Sequence, residues 1–165
     1  MFEELIGIGA IARIERAPTL ELSPQFKLAG KVMFMAHVYT SDFKVVWNLD
    51  SPATKLLTAD LSDKVSEPPT FWRTGTDSII EVKPCFDAHN KTQLANINLK
   101  WVLQRYGILV QLVRIGQGAR SFFSNAWTPD KFRITGTGKD RKLNYKVVRS
   151  LAELLESLKP QPPRP

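Results

Sequence analysis

The stretch Asn90 to Tyr106 carries the strongest helical pattern in the chain, and its two flanks fix the kind of domain it belongs to. Leu94, Ile97 and Trp101 recur at i, i+3 and i+7, and Gly107 supplies the expected stop. This spacing predicts a helix with Leu94 and Trp101 facing the core. Before it, Ser78-Ile-Ile-Glu-Val-Lys83 reads as a short strand ended by Pro84. After it, Ile108 to Ile115 is apolar enough to predict a central strand. Upstream, Phe2 to about Ile11 reads as a short helix weakened by Gly7 and Gly9. Thr19–Leu22 and Phe26–Leu28 read as strand material with Ala29-Gly30 as a turn. Lys31 to Trp47, rich in valine and aromatic residues, reads as one long strand. Helix, strands, helix, strand in that order predict an α/β domain with a mixed sheet.

The remaining segments punctuate this core. Asn48 to Asp77 holds Pro52, Pro68, Pro69 and Gly75 among scattered charges and reads as an insertion between strands. Within it, Phe71-Trp72-Arg73 suits a core anchor better than a base-stacking surface. Gly116 to Gly138 reads as loop and short strand. About Asn144 to Leu158 reads as a last helix, with Val147, Leu151, Leu154, Leu155 and Leu158 on one face. Lys159 to Pro165 is a proline-rich tail expected to be extended. With 165 residues, one domain over 1–158 is expected: a core over about 1–115, the insertion at 48–77 and an extension at 116–158.

Charge is segregated along this chain. The first 130 residues carry net +1. Residues 131–149 carry seven basic side chains against Asp140, so almost the whole formal charge of +7 sits there. Lys131, Arg133, Lys139, Arg141, Lys142 and Lys146 thus form a localised patch expected to meet a polyanion, above all DNA. Gly136-Thr-Gly138-Lys139 lacks the spacing of a nucleotide-binding P-loop and reads as a turn presenting those cations. No apolar run is long enough to span a membrane. Met1-Phe-Glu-Glu4 lacks the basic start of a secretory signal, and the single Cys85 builds no disulfide framework. Together these predict a cytoplasmic protein with no membrane partner.

The chemistry-bearing pattern is Asp42, within the long strand, together with Glu81-Val82-Lys83 on a neighbouring one. Side chains alternate along a strand, so Glu81 and Lys83 share a face and Asp42 can converge on it. Two carboxylates close together need a cation. Hard oxygen donors suit Mg²⁺, with the Val82 backbone carbonyl as a further ligand. Lys83 then stands where it can hold or deprotonate an attacking water, the set that phosphodiester hydrolysis needs. His37 and His89 lack partners at zinc spacing: His37 reads as structural, and His89 as a weaker phosphate candidate. Cys85 reads as a small packed thiol. Lys100 and Arg105 are candidate DNA contacts on the helix.

At these residues the chain resembles the PD-(D/E)xK nuclease superfamily. His37-Val-Tyr-Thr-Ser-Asp-Phe43 is similar to the H-x-Y-T-P-D-F pattern of TnsA-type transposon endonucleases, with Ser41 where that pattern has proline. Ile80-Glu-Val-Lys-Pro84, then a helix and Arg105-Tyr-Gly-Ile108, continues the likeness, which phage Holliday-junction resolvases share. It covers about residues 1–115. The 39-residue gap from Asp42 to Glu81 is long for the family, and the insertion accounts for it. The resemblance implies a restriction-endonuclease-like fold with an αβββαβ core, metal ligation by Asp42 and Glu81, and water activation by Lys83. It also implies a first-helix glutamate as an added ligand, for which Glu3 and Glu4 are placed early enough and Glu4 is the candidate. The expected activity is Mg²⁺-dependent DNA endonuclease cleavage, with Mn²⁺ substituting, structure-selective or weakly sequence-specific, in a phage or mobile-element setting. The expected partners are DNA and either a second copy or a transposition or recombination protein. The alternatives are a non-catalytic DNA-binding or assembly protein with a nuclease-like fold, or a nuclease subunit active only within a transposition complex.

Overall fold

A computed structural model describes residues 1–84, 91–116, 120–133 and 149–160. In chain order the elements are α1 (Phe2–Gly7), β1 (Ile11–Arg16), β2 (Thr19–Ser23), β3 (Phe26–Leu28), β4 (Lys31–Phe34), β5 (His37–Thr40) and β6 (Phe43–Trp47). There follow α2 (Pro52–Leu57), β7 (Thr58–Asp60), β8 (Phe71–Arg73), β9 (Asp77–Pro84), α3 (Lys91–Tyr106) and β10 (Val110–Ile115). The chain closes with α4 (Phe122–Asn125), α5 (Asp130–Arg133) and α6 (Leu151–Ser157).

The chain is a mixed α/β fold built on a four-stranded sheet of order β1-β6-β9-β10. The first three strands run antiparallel, and β10 pairs parallel to β9 after α3 carries the chain back. A parallel neighbour needs such a crossover, because a tight turn reverses direction. β10 lies at an edge of this sheet, not at its centre. Its apolar run has another cause. Val113 packs in the cluster on one face while Val110 packs in the cluster on the other, so the strand is covered on both sides.

Alternation along β9 divides the core. Ile80 faces a cluster of Leu5, Val45, Trp47, Leu57, Phe71, Val113, Trp127, Leu151 and Leu154. Ile79 faces the other way, onto Leu22, Tyr39, Val102 and Val110. α3 covers this second face through Val102, which is fully buried, with Leu99 beside it. The expected stripe is therefore rotated. Ile97 and Trp101 are half exposed, at 51% and 41%, and Trp101 meets only the edge of the surface with its ring against His37. Apolar residues lie all round this helix, so spacing alone selects no one stripe.

The long strand expected over Lys31–Trp47 is broken into β4, β5 and β6. β5 pairs with β2 and not with the main sheet, so β2 and β5 form a separate ribbon. Residues 48–77 do not loop out. Their α2, β7 and β8 place Leu57 and Phe71, both fully buried, in the larger cluster, which confirms Phe71 as a core anchor. The knot that closes this segment is Asp60. It accepts from Ser62 N and Oγ, at 3.0 and 2.6 Å, from Gly75 N and from Arg73 Nη1, bonds that hold its carboxyl below the usual range. In place of short strands, α4 and α5 follow β10. α6 starts at Leu151 and not near 144, because Ser150 and Glu153 form a reciprocal capping box. Residues 144–148 lie outside the described residues. No described helix is long and apolar enough to cross a membrane.

Candidate active site

Where the β6–β9 ladder ends, the chain brings the predicted acids and lysine together. The last ladder pair is Phe43 with Ile80, so Asp42 lies one step beyond, opposite Glu81. The Asp42 carbonyl accepts from Ala17 N at 3.0 Å, and its Oδ2 accepts from Val82 N at 2.7 Å. Thus the exposed Asp42 is fixed through backbone and side chain alike. A residue's N–H and C=O point to the same edge of an extended strand. The Val82 carbonyl accordingly opens on the Asp42 side, where it was expected as a ligand.

Glu81 is only 7% exposed, and a buried carboxylate needs partners. It has two. Lys83 Nζ stands 2.5 Å from Oε1, and the Tyr39 hydroxyl donates to Oε2 at 3.1 Å. The Lys83 side chain is half-exposed. Burial, then the Glu81 carboxylate, then the Asp42 carboxylate hold the Tyr39 phenol well above the ordinary tyrosine range. Tyr39 was legible only as a letter of a motif. Its role depends on packing the β2–β5 ribbon over β9, which no local spacing encodes. Arg114, paired in register with Lys83 on β10, is a second cation that sequence reasoning passed over.

Ser41 is buried, and its amide donates to Pro18 O at 3.1 Å. A proline here would lose that bond. This gives a local reason for serine at the position, although the Ser41 hydroxyl has no partner among the described residues.

Glu4 is engaged elsewhere. Its Oε2 accepts from the indole of the fully buried Trp127 at 2.8 Å, and its Oε1 accepts from Asp130 N, at the start of α5, also at 2.8 Å. Both oxygens thus serve a helix start and a buried indole, a structural task that α1 performs across 126 residues of sequence. Arg105 is likewise structural: it donates to the Leu22 carbonyl at 2.8 Å and pairs with Glu21. Lys100 is exposed. Lys139, Arg141, Lys142 and Lys146, with Cys85 and His89, lie outside the described residues, as do the side chains of Lys131 and Arg133.

Among the described residues, no group of three or more His, Cys, Asp and Glu side chains gathers as a metal cluster. The donor set here is different: the Asp42 and Glu81 carboxylates with the Val82 carbonyl. These are hard oxygens, with one carboxylate open to solvent, and they fit a small divalent cation such as Mg²⁺ that keeps waters in its shell.

Comparison with protein-family models, with curated proteins and with solved structures returned no match.

Proposed function

We propose that this chain is a metal-dependent DNA endonuclease of the PD-(D/E)xK kind, with a restriction-endonuclease-like core. The observation that carries the reading is the convergence of Asp42, Glu81 and Lys83 at the end of one antiparallel ladder. The order α1, the β1–β6–β9 meander, α3 and parallel β10 supports it, since it follows the αβββαβ succession that the sequence likeness implies.

Asp42, Glu81 and the Val82 carbonyl would hold the cation, Mg²⁺ or Mn²⁺. When bound, the ion offsets phosphate charge and lowers the pKa of a water. The chain's own groups do the rest. Val82 N–H keeps Asp42 oriented, and Tyr39 keeps one oxygen of Glu81 fixed so that the other faces Lys83. The Lys83 ammonium, half-exposed beside that carboxylate, positions the attacking water against the phosphorus. Arg114 on the adjoining strand offers a second cation to the phosphate. The basic run from Lys131 to Lys146 supplies grip on neighbouring phosphates, which gives affinity and register but little sequence selection.

Incubation of the full chain with supercoiled, linear, single-stranded and four-way-junction DNA tests this. Cleavage that appears with Mg²⁺ or Mn²⁺ and disappears with chelator supports it. No cleavage of any form with either ion counts against it.

A further inference from the structure

Among the described side chains of α3, the buried or half-buried ones are Ala95, Asn98, Leu99 and Val102, whose spacing puts them on one face of the helix. Asn98 is the polar member of that face. Its side-chain carbonyl oxygen, Oδ1, is buried and accepts no hydrogen bond. A buried amide oxygen left unpaired costs stability, and such groups call for an explanation in a native fold. Asparagine is also a poorer helix former than alanine. Packing alone therefore does not favour this residue in the middle of α3.

The surrounding elements place this oxygen at the level of the candidate site. Leu99 and Val102 pack with Ile79 of β9 and Val110 of β10. β10 runs parallel to β9, so α3 between them runs the opposite way along both strands. Asn98 lies one turn from Val102, about 5.4 Å along the helix. Two residues of strand cover about 6.6 Å, so the same shift leads from Ile79 to Glu81. Glu81 shares the face of Ile79, since Ile80 and Val82 turn to the other cluster. The Lys83 ammonium stands at that level too, drawn back to 2.5 Å from Glu81 Oε1. An ammonium carries three hydrogens to donate, more than one carboxylate oxygen uses. The Tyr39 hydroxyl, the other donor at Glu81, is already committed to Oε2. Residues 91–106 contain no Asp or Glu, so no carboxylate of α3 competes for the lysine.

We propose that Asn98 is a positioning residue that acts through Lys83, its Oδ1 serving as the second acceptor for the ammonium. Lys83 then keeps a fixed partner on the helix side as it turns from Glu81 toward the attacking water. Without that acceptor, the half-exposed ammonium follows its flexible four-carbon stem into solvent and meets the water less often. Small misplacements of a catalytic group are costly in rate. The inference rests on the nuclease reading.

Cleavage kinetics at saturating Mg²⁺ and thermal unfolding of the full chain with Asn98→Ala test it. The kcat is expected to fall about tenfold or more with KM little changed. The unfolding midpoint is expected to stay at the wild-type value or a few degrees above it, because an unpaired oxygen and a poor helix former have both gone. Asn98→Ala combined with Lys83→Ala is expected to cleave no more slowly than Lys83→Ala alone, since the amide works only through the ammonium. Wild-type kcat in a folded Asn98→Ala chain overturns the proposal. So does a lowered unfolding midpoint, which gives the amide a structural task, and so does a further loss of rate in the Lys83→Ala background. A wild-type chain that cleaves no DNA overturns the nuclease reading and this role with it, whereas a cleaving wild type matched by Asn98→Ala removes this role alone.

Discussion

The Tyr39 hydroxyl donates to Glu81 Oε2 at 3.1 Å, joining the β2–β5 ribbon to the strand that carries the candidate metal ligands. Tyr39→Phe keeps the buried ring and removes only this bond. The expected cost in stability is about 1.5–3 kcal/mol, as for a hydrogen bond to a charged group. If Tyr39 orients Glu81, the Mg²⁺ concentration for half-maximal cleavage rises several-fold, with the substrate KM little changed. A metal titration of the cleavage rate measures this. An unchanged metal requirement would leave Tyr39 with a packing role alone.

Glu4 yields the opposite expectation. Glu4→Ala strips the acceptor from the Trp127 indole and from the Asp130 amide, so thermal unfolding should show a loss of about 2 kcal/mol. Metal dependence of cleavage, measured below the unfolding range, should stay as in the wild type. A raised Mg²⁺ requirement in a folded Glu4→Ala chain would return this residue to the metal site.

Neutralising Lys139, Arg141 and Lys142 together probes the basic run. Each phosphate contact contributes about 0.9 to the slope of log affinity against log salt, so the triple variant should flatten that slope by up to about 3. Binding isotherms on one DNA duplex at several salt concentrations give the number. Mg²⁺ affinity measured by calorimetry should not move, because the proposed metal ligands Asp42 and Glu81 lie in the nearly neutral first part of the chain.

How much of this was legible in advance follows from which distances are local. Glu81 and Lys83 share a face because strand period is two, and their ion pair follows from spacing alone. Asp42 joins them because an acid at the start of β6 falls next to Glu81 in the antiparallel register. Tyr39 could not be placed, since its strand belongs to another ribbon and meets β9 only in three dimensions. The prolines of 48–77 announced breaks but not that Phe71 would sit at the centre of the larger cluster. Trp101 was expected inside. It lies at the surface because Val102 and Leu99, on another face of the helix, are the residues that pack with Ile79 and Val110. The edge position of β10 was hidden for a similar reason: a strand covered on both faces is apolar whether central or not.

The central claim is that Asp42, Glu81 and Lys83 act as one metal-dependent hydrolytic set. Its most direct test is Mg²⁺-dependent cleavage of supercoiled plasmid and four-way-junction DNA by the wild type and by Asp42→Asn, Glu81→Gln and Lys83→Ala. Circular dichroism of each variant reports the fold. Each substitution is predicted to lower the cleavage rate at least about a hundredfold while leaving the fold intact. Wild-type cleavage rates in any one of the three folded variants would contradict the claim.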